Sequence, residues 1–143
     1  MDFTPEILKK YRKYTTTKLH GMAVNRFNKY IRERDRDGDY FYCPTCNKWK
    51  KITGRTYQAC HCFPAGLYPE LEFNENNVFG GCLQCNYFKH GTNYIYNDWV
   101  RNKIGEEEYQ KLLDIKAYWA GKTFKEDWFY YIEIIEKYNR KSK

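Results

Sequence analysis

Cys43-Pro-Thr-Cys46 and Cys82-Leu-Gln-Cys85 are two Cys-x-x-Cys pairs, and Gln58-Ala-Cys60-His61-Cys62 lies between them. A Cys-x-x-Cys turn points two sulfurs at one place, and two such turns supply the four thiolates of a tetrahedral zinc site. Cys43, Cys46, Cys82 and Cys85 are therefore expected to hold one structural zinc, with no coordination position left for water. Thirty-five residues separate Cys46 from Cys82, more than a simple zinc ribbon needs. The metal is thus expected to pin shut a loop that carries His61. A histidine near its unperturbed pKa can take a proton from water at neutral pH, which makes His61 the candidate general base. A lone histidine is more often structural; its place between the two knuckles singles this one out. Cys60 and Cys62 alternate with His61, so on a strand they face away from it as small buried side chains. A second metal shared with His61 is the alternative.

The elements that would position these groups can be read from pattern and punctuation. Residues 1–18 carry Lys9, Lys10, Arg12, Lys13 and Lys18 and read as a basic N-terminal arm or short helix. A single domain is expected over 19–143, with its core at 40–91. From Leu19 to Arg36 the spacing of Leu19, Ala23, Phe27, Tyr30 and Ile31 predicts an amphipathic helix. Tyr40 to Thr53 reads as a hairpin bearing the first knuckle, and Thr56 to Phe63 as a strand through His61. Leu71 to Phe79 reads as a second extended stretch, broken at Asn74-Glu-Asn-Asn77. A short helix is expected from about Cys82 to Lys89, closed by Gly91. Ile95, Tyr96, Trp99 and Val100 predict a further helix. Tyr109, Leu112, Leu113 and Ala117 follow Glu106-Glu-Glu108, and Phe124 to Tyr138 gives a last amphipathic helix. His20 and His90 read as surface residues.

Of 143 residues, 30% are charged and 20% aromatic, including 15 Tyr. That is enough for a core, though a domain of this size gains from a metal staple. The first residues lack a basic region followed by an apolar one, and no apolar run reaches a membrane span. A cytoplasmic protein without a membrane partner is expected, and Cys-x-x-Cys pairs then favour metal over three disulfides. The net charge of +7 is uneven: residues 1–36 hold ten Lys/Arg against four Asp/Glu. Lys29, Arg32 and Arg36, with Lys48, Lys50 and Lys51, are candidate contacts to a polyanion, most simply DNA. A solvated surface is the plain alternative.

Lys29-Tyr-Ile-Arg-Glu-Arg-Asp35, Cys43-x-x-Cys46, Gln58-Ala-x-His61, Phe73-Asn-Glu-Asn-Asn77-Val, Cys82-Leu-Gln-Cys85-Asn86, Lys89-x-Gly91 and Ile104-Gly-Glu-Glu stand in that order. Together they resemble the NinG (Rap) recombination proteins of lambdoid phages. More distantly they resemble HNH and endonuclease VII nucleases. The resemblance implies an α+β fold with a zinc-stapled ββα-metal core between N- and C-terminal helices. It implies a metal-dependent endonuclease of a phage or prophage, acting on branched (Holliday junction or D-loop) or single-stranded DNA. Asn77 resembles the middle Asn of HNH sites, which braces the histidine strand; a plain turn residue is its alternative. Asn86 would give an amide oxygen to a catalytic Mg²⁺ or Mn²⁺, a hard cation that prefers oxygen, unless it only caps a helix. Glu72 and Glu75 are the carboxylates that could complete that site. Resolvases make two cuts, and that analogy points to a homodimer. The chain departs from the family pattern at Gln58, Cys60 and Phe79, where Asp, Gly and a second His are usual. A zinc-stapled DNA-binding accessory protein without cleavage is therefore the rival reading.

Overall fold

The computed structural model describes residues 1–84 and 94–142. It is an α+β fold in two compact units, Met1–Tyr30 with Lys125–Lys143, and Ile31–Phe124. The first division falls inside one helix, after Tyr30.

The first unit is helical. α1 spans Pro5–Tyr11, α2 Thr16–Asp35 and α5 Trp128–Lys141. The stretch read as an arm thus contains a helix. Its signal was present: Thr4 caps α1 by accepting from the Ile7 N–H, and Pro5 takes the first turn, where a missing N–H costs nothing. Tyr11 is buried, and its hydroxyl and Lys10 both donate to Glu136 on α5. Leu19, Ala23 and Phe27 form the buried stripe of α2; Phe27 meets Tyr138 edge-on at 5.1 Å. On α5, Tyr131, Ile132, Ile135 and Tyr138 face inward at helical spacing, as the pattern required. His20 is no plain surface residue, since its ring stacks on Tyr131 at 4.7 Å.

The second unit carries the cysteines. α2 stops at Asp35, and Arg36 already belongs to strand β1 (Arg36–Asp37). β1 pairs with β2 (Tyr40–Cys43), and β2 with β3 (Lys48–Lys51), in an antiparallel sheet. β4 (Tyr57–His61) pairs with β5 (Val78–Cys82), also antiparallel, with Tyr57 opposite Cys82 and His61 opposite Val78. The second strand therefore lies further along the chain than the expected 71–79. Pro69–Leu71 and Glu75–Asn77 are instead single 3-10 turns, because Pro69 and the Asn-rich run favour local hydrogen bonds over a ladder. Gly80 and Gly81, which read as punctuation, are strand residues. A Cβ on Gly80 would stand 2.5 Å from the Tyr57 ring, and one on Gly81 2.9 Å from the Cys60 sulfur.

Leu83 and Gln84 are helical, so a helix begins directly after β5. The rest of that expected helix, with Cys85, Asn86, Lys89, His90 and Gly91, lies outside the described residues. α3 (Tyr94–Ile104) and α4 (Glu106–Trp119) follow, divided by Gly105 at φ +88°. Tyr96, Val100 and Leu112 pack with Cys60, Cys62, Phe63, Leu71 and Phe79 in the main core of this unit. Ala117, expected to face inward, is exposed near the end of α4. Among the described residues no helix is long and apolar enough to cross a membrane.

Candidate functional site

Cys43 closes β2, Cys46 stands in the β2–β3 turn and Cys82 closes β5. Their sulfurs all lie within 4.8 Å of one another, Cys46 and Cys82 at 3.8 Å. Four thiolates at the usual Zn–S length of about 2.3 Å stand about 3.8 Å apart along the edges of a tetrahedron. A disulfide needs about 2.05 Å, and none of the five described cysteines is disulfide-bonded. The three sulfurs thus fit a metal such as zinc; Cys85, the expected fourth donor, lies outside the described residues.

The local chain explains this convergence. Asn47, next after Cys46, has φ +56°, a left-handed conformation that Asn tolerates better than other residues with a side chain. Its N–H donates to the Cys43 carbonyl at 2.8 Å, and its side chain accepts from the Tyr42 hydroxyl. The turn is thereby locked with both sulfurs on one side. Burial pushes the Cys43 thiol above its ordinary pKa, while the N–H groups of Cys46 and Cys82 pull it down. The Lys50 ammonium reaches the Cys46 sulfur, and that hydrogen bond raises the lysine above its usual value. A dication with four thiolates carries net negative charge, which a lysine at this place offsets. A second apolar cluster of Phe41, Cys43, Tyr57 and Cys82 seals the site.

His61 stands at the far end of the β4–β5 ladder from Cys82. Four residues of strand put roughly 13 Å between the two ends, so the cysteine cluster can position the histidine without using it as a ligand. The ring is half-buried, and its Nε2 lies 3.0 Å from the main-chain oxygen of Glu72. A carbonyl only accepts, so this contact puts a proton on Nε2, and Nδ1 is the nitrogen that would act as the base.

Asn77 is fully buried and makes three side-chain hydrogen bonds. Its Oδ1 accepts from the Phe63 N–H, and its Nδ2 donates to the carbonyls of Phe63 and Leu71. It therefore ties down the loop that leaves the histidine strand and returns to Glu72. Cys60 and Cys62 are buried in the core. Burial raises both thiols, Cys62 to about 12. Among the described residues no group of metal-ligating side chains joins either of them to His61.

Phe79 is the cross-strand partner of Cys60 and shares its face, opposite to that of His61. It is buried against Trp99, with the Arg34 guanidinium 4.7 Å over its ring. A histidine there, as is usual in the family pattern, would replace a core ring rather than add a polar group beside His61.

The basic residues of the sheet do not share one face. Lys29 is exposed and Arg32 half-buried on α2, while Arg36 donates to the Gly38 carbonyl at 2.8 Å. Register puts Arg36, Lys48 and Lys50 on one face of the sheet and Lys51 on the other. Sequence reasoning placed Arg34 and Asp35 in the family motif but gave them no role. Arg34 donates to the carbonyls of Glu75 and Val78 and to the Asp35 carboxylate, which in turn accepts from the Gly80 N–H at 2.9 Å. This pair fastens the end of α2 to β5. Periodicity does not mark it, and an adjacent Arg-Asp pair at a helix end is the only hint.

This is an α+β chain with three cysteines close enough to share a metal ion at one end of a two-stranded ladder and an oriented histidine at the other. The chain matches the family model described as Bacteriophage Lambda NinG protein over residues 6–143, and it belongs to that family. Protein ninG of Escherichia phage lambda is 34% identical over 85 residues, covering 59% of this chain and 39% of that protein. Protein ninG of Escherichia phage 933W gives the same figures. That of Salmonella phage P22 is 33% identical over 83 residues, 58% of this chain and 38% of the relative. The matches thus cover about two fifths of the length of these relatives. No solved structure matches the chain.

Proposed function

We propose that this chain is a zinc-stapled, HNH-like endonuclease that cuts DNA during phage recombination, on branched or single-stranded substrates. The observation that carries the reading is the half-buried His61 ring, oriented at the end of β4 by the contact of its Nε2 with the Glu72 carbonyl. The order of β4, β5 and a helix opening at Leu83 fits a ββα-metal core, and the Asn77 brace fits the part of its middle asparagine. One zinc, held by Cys43, Cys46, Cys82 and Cys85, is a folding element in this reading.

In the reaction, His61 Nδ1 takes a proton from a water. The resulting hydroxide forms a bond to phosphorus in line with the ester oxygen, and that P–O bond breaks. Mg²⁺ or Mn²⁺, with Asn86 as one oxygen donor, would neutralise charge on the phosphate and the leaving oxygen when bound. Among the described residues no three His, Cys, Asp or Glu ligand atoms outside the cysteine cluster come together. Asn86 itself lies outside the described residues. Arg36, Lys48 and Lys50 on one sheet face, with Lys51, Arg32 and Lys29, would grip phosphates. That contact is largely independent of sequence and weakens with salt.

The test is cleavage of a labelled four-way junction and of single-stranded DNA with Mg²⁺ or Mn²⁺. His61→Ala should keep zinc and DNA binding while cleavage falls roughly 10²–10⁴-fold. Undiminished cleavage by His61→Ala refutes the assignment. DNA binding by the wild type with no cleavage under either ion leaves the accessory-protein reading standing.

A further inference from the structure

The β1–β2–β3 sheet has one face turned to the cysteine cluster and another that carries exposed aromatic rings. Cross-strand partners share a face, so the pairs Tyr40–Lys51 and Tyr42–Trp49 define the second one. Trp49 is 57% exposed and Tyr40 50% exposed, unusual for large rings on so short a hairpin. Trp49 is not a loose ring. It meets Tyr42 edge-on at 5.8 Å, Tyr42 stacks on Trp99 at 6.4 Å, and Trp99 rests on the core ring of Phe79 at 5.3 Å. An aromatic column thus runs from the core to the surface and ends in an open π face. Diagonal neighbours on such a face stand about 7–8 Å apart, so Tyr40 and Trp49 present two separate rings rather than one patch. Lys51, opposite Tyr40, shares this face, whereas Lys48 and Lys50 belong to the other face of β3. Asp37, opposite Tyr40, puts a carboxylate at the β1 edge, so the cationic side is the β3 edge.

We infer that this face is a stacking platform for unpaired bases of single-stranded DNA, with the sugar-phosphate chain passing Lys51 at the β3 edge. A π face beside a cation is the combination that single strands require, since every base offers a ring to stack and every nucleotide a phosphate. A duplex offers phosphates but hides its ring faces in the stack. The platform therefore selects unpaired DNA, whereas the lysines alone accept either form. It rests on the reading of the chain as a DNA-acting protein, but not on His61 or on cleavage.

The experiment uses the zinc-loaded full chain without added Mg²⁺ or Mn²⁺. It measures fluorescence anisotropy of a labelled oligo-dT and of a duplex of equal length. Trp49→Ala and Tyr40→Ala should each weaken oligo-dT binding roughly 5–150-fold and change duplex binding less than about twofold. Trp49→Phe, which keeps a π face, should recover most of the loss. Unchanged oligo-dT affinity in both alanine variants overturns the proposal, as does an equal loss on both forms of DNA. A fall in sedimentation mass in Trp49→Ala, with oligo-dT affinity intact, makes the face an interface between copies and overturns it as well. Trp49-dependent binding of oligo-dT by a protein that cuts nothing supports the platform and refutes only the cleavage reading.

Discussion

Replacing Asn77 by alanine tests how the histidine strand is held. The side chain lies in a site closed to water, with 0% of it exposed. Truncation strands the Phe63 N–H, now bonded at 2.8 Å, and the carbonyls of Phe63 and Leu71, now bonded at 3.1 and 3.0 Å. The three do not cost the same. The Leu71 carbonyl keeps a second donor, the Asn74 N–H at 3.2 Å, so its loss is small. The Phe63 N–H has one proton and no substitute, and an unmet buried donor costs about 1–3 kcal/mol. With the Phe63 carbonyl and the vacated volume, the total comes to about 2–5 kcal/mol. Set against about 5–15 kcal/mol for a whole domain, this should be visible in urea unfolding of zinc-loaded protein followed by circular dichroism. The bond from the Cys62 N–H to the Asn77 carbonyl survives the substitution, so the strand ladder should persist. Asn77→Asp keeps the acceptor but sets a carboxylate against two carbonyls, and should be at least as damaging. A loss below about 0.5 kcal/mol for Asn77→Ala would refute the brace.

Zinc should be present at one per chain, and Cys82→Ser or chelation should abolish cooperative unfolding, because metal binding here is folding free energy; well-folded protein without zinc in elemental analysis would contradict this. Gly80→Ala should cost about 1–3 kcal/mol through overpacking on the Tyr57 ring. In a double-mutant cycle with Tyr57→Ala the two losses should be less than additive, and strict additivity would show that the ring is not the obstacle. Burial raises the phenols of Tyr11, Tyr57 and Tyr96, with Glu136 adding to the shift at Tyr11 and Asp35 at Tyr57. A raised folded value means that the unfolded chain ionises first, so stability is intact below about pH 10 and falls above it. Absorbance at 295 nm should report these phenols titrating together with loss of circular dichroism, not before it.

The zinc pairs were legible because a Cys-x-x-Cys turn states its chemistry within four residues. The amphipathic faces of α2 and α5 were legible for a related reason: a helical period repeats often enough to be read. α1 was legible in principle, through Thr4-Pro5, but its lysines read as an arm. The stretch 69–82 resisted reading because 3-10 turns and a glycine-bearing strand have no period. What makes Gly80 a strand residue is the ring of Tyr57, twenty-three positions earlier.

Sequence alone thus determined which residues could bind metal, which faces would be buried and which family pattern the chain follows, since all three are local or periodic properties. Tertiary structure decided the rest. It split the lysines of β3 between two faces, turned Phe79 into the core, locked Arg34 and Asp35 onto β5, and set the His61 ring against the Glu72 carbonyl. Each of these depends on strand register or on partners distant in sequence. A shift of one residue in register would send every side chain of a strand to the opposite face, and no local pattern in 57–82 states which register the two strands take.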